Sequence, residues 1–134
     1  MNSINYLEML KNEFLPSIRR NMRDQMIFQQ DGAPPHYGKE VRKFLDQMFH
    51  NRWIGRCGPM TWAPRSPDLS PLDFFVWGFL KNKVYKRKIT NLEDLQEIIK
   101  EESKSITVEM CQNSVNSFCN RLRQCVDSDG SYIE

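Results

Sequence analysis

Apolar positions along this chain alternate between helical spacing and short extended runs. Ile4, Leu7, Leu10, Phe14, Leu15 and Ile18 recur three and four residues apart, which predicts an amphipathic helix over residues 4–18. Pro16 should shorten or bend it, because its ring lacks an N–H and collides with the carbonyl one turn back. Residues 26–30 form a short apolar-to-polar run suited to a buried strand, with Asp31 at its C-terminal edge. Pro34 and Pro35 then stop the strand, and a helix is predicted from about Tyr37 with Val41, Phe44, Leu45, Met48 and Phe49 on its inner face.

A second short strand is predicted over residues 52–55. Residues 56–70 carry Gly58, Pro59, Pro64 and Pro67 and predict an ordered but irregular loop. Ser70 followed by Pro71 has the form of an N-cap with proline at the first helical position. The helix it opens has an apolar stripe of Leu72, Phe75, Val76, Phe79 and Leu80, with Asp73 and Trp77 on its margin. Asp73 is therefore expected to be half-buried and to face a cleft. Thr90 and Glu93 have capping-box spacing and predict a helix with Leu92, Leu95, Ile98 and Ile99 inward. A last helix from about Thr107 is expected to bury Val108, Cys111, Val115, Phe118, Cys119, Leu122 and Cys125, ending before the turn composition of residues 127–130.

This order predicts an α/β fold, yet two short strands are too few to cover about five helices. The remaining strands are expected upstream of Met1.

Composition narrows the class more than the function. Apolar content of 40% and charged content of 27% fit a globular chain, and no apolar run is long enough for a membrane span. The N-terminus lacks the basic start and apolar core of a secretory signal, so an intracellular protein is expected. Cys57, Cys111, Cys119 and Cys125 form no zinc-like spacing and read as reduced thiols. Net charge is only +2, but cations are clustered: Arg19, Arg20 and Arg23, then Lys81, Lys83, Lys86, Arg87 and Lys88. Acids dominate residues 93–102. Such blocks suit either a polyanion met on one face or solvated helix ends.

Asp31 and Asp73 each lie where an element begins or ends, beside prolines that fix the backbone. Distant carboxylates held in this way can share metal ions. Asp73 has a rival reading, since a carboxylate at the third helical position can return a hydrogen bond to the Ser70 backbone. Asp31 could likewise be an ordinary turn residue.

Two blocks then carry a family resemblance. Residues 30–36, Gln-Asp-Gly-Ala-Pro-Pro-His, resemble the Q-D-[NG]-A-P-x-H block of mariner-superfamily DNA transposases. Residues 66–73, Ser-Pro-Asp-Leu-Ser-Pro-Leu-Asp, with Trp77-Gly78 and Leu80-Lys81 downstream, resemble their S-P-D-L-x-P-x-[DE] block. Forty-one residues lie between Asp31 and Asp73, which resembles a longer-spacer branch common in arthropods, with the extra length expected within residues 52–63. The resemblance implies the second half of an RNase H-like fold over residues 1–90, with residues 91–134 a helical extension. It implies that Asp31 and Asp73 are the second and third acids of a catalytic triad holding two Mg²⁺ (or Mn²⁺) ions.

The family's first acid and its helix-turn-helix region have no counterpart here and are expected upstream of Met1, so the chain alone should be inactive. Implied partners are transposon-end and target DNA, with a homodimer in the intact enzyme, nuclear localisation, and no membrane or small-molecule substrate. Lys81, Lys83, Lys86, Arg87 and Lys88 are the candidate phosphate contacts. A second reading is a relic or host-recruited module that binds nucleic acid without catalysis. Asp68 is read as structural, His36 as orienting its loop, and Trp53, Trp62 and Trp77 as packing residues.

Overall fold

The first helix begins at Asn2, whose side-chain oxygen accepts the Asn5 N–H at 2.9 Å and satisfies a donor that the helix start leaves open. In the computed structural model, which describes residues 1–62, 66–131 and 133, helix α1 (Ser3–Met9) runs into a π-helical turn (Leu10–Phe14) and then α2 (Leu15–Ser17). The widened turn immediately precedes α2, which holds Pro16, and the helix stops at Ser17 with Ile18 extended at φ −93°, ψ 127°. The inner face differs from the predicted one. Tyr6, Leu10 and Leu15 are buried, whereas Ile4, expected inside, is 69% exposed.

After the short helix α3 (Arg20–Arg23), two arginines fasten the approach to the sheet. Arg23 donates to the Leu15 carbonyl, and Arg52 Nη1 donates to the carbonyls of Arg23 and Met26 at 2.6 and 3.0 Å. Arg23, one of the first basic cluster, is thus committed to structure.

Strands β1 (Phe28–Gln29), β2 (Trp53–Gly55) and β3 (Met60–Thr61) form a parallel sheet in the order β1-β2-β3. Phe28 pairs with Trp53 and Gln29 with Ile54; Ile54 pairs with Met60 and Gly55 with Thr61. The strand β3 corrects the expectation of two strands. It lies inside the proline-rich stretch read as irregular, and two residues are too short a run to show alternation. Pro64, another proline of that stretch, lies outside the described residues. Parallel neighbours ordinarily need a crossover of about a dozen residues. Here residues 56–59 suffice, because Cys57 takes φ +61° and Gly58 packs flat on Trp53.

The crossover between β1 and β2 is a 3₁₀ turn (Pro34–Tyr37) followed by α4 (Lys39–Met48). Its inner face is as predicted for Val41, Phe44, Leu45 and Phe49, while Met48 is exposed. These residues enclose Trp53 with Leu10 and Phe28, and the Phe28 and Phe49 rings stack at 5.4 Å. Each such side chain contributes about 1.5–3 kcal/mol by burial. Trp53 is fully buried and Trp62 is buried too, so both are packing residues.

By contacts the chain forms two compact units, Met1–Arg65 and Ser66–Glu134. The second opens with a 3₁₀ turn (Pro67–Leu69) and a π-helical turn (Leu72–Val76) that continues as α5 (Trp77–Val84). Helix α6 (Leu92–Ser103) packs on α5 through Ile98, Leu80 and Val84. Its cap differs from the predicted one by a residue. Asn91, not Thr90, accepts the Asp94 N–H at 2.7 Å, and Asp94 in turn accepts the Thr90 N–H at 3.3 Å. Leu92 is accordingly 63% exposed rather than inward.

Helix α7 (Val108–Asp127) starts as predicted, with Thr107 Oγ1 accepting the Met110 N–H at 3.2 Å. Its buried face does not follow the apolar stripe. Met110, Ser114, Ser117 and Arg121 line a groove with Phe74 and Phe75, while Val108, Cys111, Val115, Cys119 and Leu122 are exposed. Ser114 and Arg121 each precede a stripe residue by one position, which rotates the contact face by about 100°. Arg121 sets that rotation: its guanidinium lies 4.1 Å from the Phe74 ring and donates to the Asp68 carbonyl at 2.9 Å.

Candidate functional site

Asp31 stands at the C-terminal end of the sheet. The Gln30 N–H still donates to the Ile54 carbonyl at 3.0 Å, so Asp31 is the first residue beyond the pairing. Its Oδ1 accepts the Ala33 N–H at 3.0 Å, an Asx turn that the following prolines stabilise, and also accepts His36 Nδ1 at 2.5 Å. Oδ2 takes no hydrogen bond among the described residues, and the side chain is 59% exposed.

His36 orients this loop, as expected of it, and two further residues hold His36. The Tyr6 ring lies 4.3 Å from the imidazole, and the His36 carbonyl accepts Gln30 Nε2 at 2.8 Å. The buried Gln30 completes the connection by accepting the Tyr6 hydroxyl at 3.0 Å. Sequence reading missed both. The available signal for Tyr6 was its position four residues before Leu10. For Gln30 it was a polar residue at the end of a buried strand.

Burial, and secondarily the negative charge of Asp31, push the Tyr6 hydroxyl from 10.0 up to about 12. A raised folded-state value stabilises the fold fully below pH 10.0, and this contribution is lost as pH rises towards about 12. With solvent screening counted, such a shift corresponds to roughly 1–2 kcal/mol. Urea midpoints taken at about pH 9 and about pH 11.5 should show a smaller alkaline decline for Tyr6→Phe than for the unaltered chain.

Arg56 follows β2 as Asp31 follows β1. Its stem runs beside Gly32, where an added Cβ would stand 3.9 Å from Arg56 Cδ, and its guanidinium lies 4.2 Å from the Tyr37 ring centroid. It makes no ion pair among the described residues.

In the second unit, Asp73 is exposed rather than half-buried. The π turn widens the helix just where a regular one would have set Asp73 at the stripe's margin, and Leu72 and Trp77 are turned outward with it, 57% and 50% exposed. Trp77 is therefore not a packing residue of this unit. The turn starts on the Ser70 carbonyl, which accepts the N–H groups of Asp73 and Phe74 at 2.9 and 3.0 Å, and no side chain caps it. The capping-box alternative for Asp73 is thus not realised.

Asp68 is buried, and its Oδ2 accepts the Ile133 N–H at 3.4 Å, which makes it structural as expected. The late basic cluster is divided. Arg87 Nη1 contacts Glu101 at 2.7 Å and Glu102 at 3.5 Å, and Lys83 reaches Glu102 at 3.9 Å. The Arg87 guanidinium is accordingly held more firmly protonated, first by the Glu101 hydrogen bond. Lys81, Lys86 and Lys88 are exposed and have no ion pair among the described residues.

No group of three His, Cys, Asp or Glu side chains among the described residues could hold a metal ion. No helix among them is long and apolar enough to cross a membrane.

No protein-family model matches the chain. It is 29% identical over 135 aligned residues to the Tc3 transposable-element transposase of Caenorhabditis elegans, covering 99% of this chain and 39% of that protein. Among solved structures, the mariner Mos1 paired-end complex with Mg superposes with a TM-score of 0.81 at 25% identity, over 100% of this chain and 38% of that one. The catalytic domain of Mos1 transposase superposes with a TM-score of 0.76 at 24% identity, over 99% of this chain and 64% of that one. The chain thus spans about two fifths of the length of the curated transposase it matches. Its α/β fold is that of the Mos1 catalytic domain, and its homologues are the Tc1/mariner transposases that its two motif blocks resemble.

Proposed function

We propose that this chain is part of the catalytic domain of a cut-and-paste DNA transposase, with Asp31 and Asp73 as metal-ligating carboxylates for strand cleavage and transfer. The observation that carries this reading is Asp31 itself: an acid past the end of a parallel strand, fixed through Oδ1 and open at Oδ2. Asp73, exposed and free of a capping role, is its counterpart in the second motif block. Both offer hard oxygen donors of the kind Mg²⁺ selects. Bound Mg²⁺ supplies Lewis-acid activation of an attacking oxygen and charge neutralisation at the departing one. The remaining carboxylate comes, in this reading, from outside the described residues, so the chain alone does not cleave DNA. Lys81, Lys86 and Lys88 contact phosphates; Lys83 of α5 and Arg87 just beyond it chiefly pair with acids of α6. The intact enzyme acts in the nucleus as a homodimer on transposon ends.

DNA affinity measured across a salt series, with and without Mg²⁺, tests this reading. Mg²⁺ should strengthen binding, and Asp31→Asn or Asp73→Asn should remove that increment. Binding indifferent to both acids, yet weakened by Lys86→Gln and Lys88→Gln, would instead support a nucleic-acid-binding module without catalysis.

A further inference from the structure

We infer that Arg56 is a phosphate-binding residue beside Asp31, gripping a non-bridging oxygen of the DNA strand that reaches this carboxylate. The inference rests on the reading of DNA as the partner and names where one phosphate sits. Register supplies the first ground. Gln29 pairs with Ile54 in the parallel β1–β2 ladder, so Asp31 and Arg56 each lie two residues further on, side by side at the same end of adjacent strands. Ligands of parallel α/β sheets bind at that end.

The second ground is how the side chain is held. Its stem runs along Gly32, the residue after Asp31, and its guanidinium sits 4.2 Å from the Tyr37 ring centroid on the same loop. The backbone beneath it is fixed as well. Cys57 turns the chain at φ +61°, and the N–H groups of Gly58 and Trp62 return to the Gly55 carbonyl at 3.1 and 3.4 Å.

The third ground is what Arg56 lacks. Asp31 gives its bonded oxygen to Ala33 and His36, and Arg56 pairs with no carboxylate among the described residues. Arg23 and Arg52, by contrast, spend donors on backbone carbonyls. A cation stacked on an aromatic ring keeps the edge donors of its planar fork available, which is the arrangement that recognises a phosphate through two parallel hydrogen bonds.

The test is fluorescence anisotropy of a labelled DNA duplex across a salt series, using the full chain with Arg56→Gln, Arg56→Lys and Tyr37→Leu, alongside thermal melting of each. Arg56→Gln should lower affinity roughly tenfold or more and flatten the slope of log affinity against log salt by about 1. Arg56→Lys should keep the slope while losing part of the affinity, since a point charge replaces the fork. Tyr37→Leu should also keep the slope and weaken binding, because the cation loses its platform. An unaltered slope in Arg56→Gln would overturn the inference and leave DNA binding standing. So would loss of the slope in Arg56→Lys at an unchanged melting temperature. Absence of salt-dependent binding by the unaltered chain would overturn the DNA reading itself, and the inference with it.

Discussion

Asp31→Asn should abolish strand cleavage when this segment is tested within an intact transposase, while leaving the fold nearly unchanged. The two effects separate because the side chain's two oxygens do different things. Oδ1 accepts the Ala33 N–H and the His36 donor, and an Asn carbonyl oxygen can keep both bonds in the same turn. Stability should therefore change by no more than about 1 kcal/mol. Oδ2 is the ligand position in the proposed function, and Asn replaces it with an NH₂ group that cannot ligate a cation. Loss of several kcal/mol of metal-derived stabilisation lowers the rate roughly a thousandfold or more. Single-turnover cleavage of a nicked transposon-end substrate, run beside a denaturant midpoint, reads both quantities. Retained cleavage would remove Asp31 from the ligand set. A large drop in stability would instead make its role structural.

What the residues revealed in advance follows from how local each signal is. Asp31, its prolines and His36 lie within six residues, and the structure makes their bonds within that span. The α4 face was legible because four buried side chains at helical spacing leave little choice of orientation. Features that depend on distant residues were not. Tyr6 reaches Gln30 across 24 positions, and Arg121 reaches Asp68 across 53. The second contact turns α7 so that Ser114, not Val115, faces inward.

Both π turns defeat a fixed 3.6-residue period in the same way, since one extra residue rotates everything beyond it. Of two residues expected inward, the first leaves Leu15 buried and Phe14 only half-buried; Asp73, in the second, is exposed. In the ligand role proposed for Asp73, outward is the useful direction, and π turns occur often at functional positions. The charge cluster shows the same limit. Spacing alone could not reveal that Arg87 lies against Glu101 while Lys86 has no ion pair among the described residues.

Trp53→Ala should cost the first unit about 3–5 kcal/mol, enough to unfold it in large part at 25 °C. Several features of that unit depend on this one side chain. Trp53 is 0% exposed, pairs with Phe28 across β1–β2, and donates Nε1 to Asp46 at 2.8 Å. Its ring is also the surface on which the β2–β3 turn rests: a Cβ on Gly58 would come within 2.6 Å of Cζ3, and one on Gly55 within 3.0 Å. Truncation leaves a cavity under that turn and strips an N–H partner from Asp46. The ladder that aligns Asp31 with Arg56 is lost as a consequence. Trp53→Phe retains most of the volume and should cost less, whereas Gly58→Ala perturbs the same contact from the other side by overpacking, at about 1–3 kcal/mol. Urea denaturation of the three variants should rank them with Trp53→Ala least stable. Near-native stability of Trp53→Ala would mean that α4 and β1 hold the Asp31 loop without β2, and that the sheet is not what positions the acid.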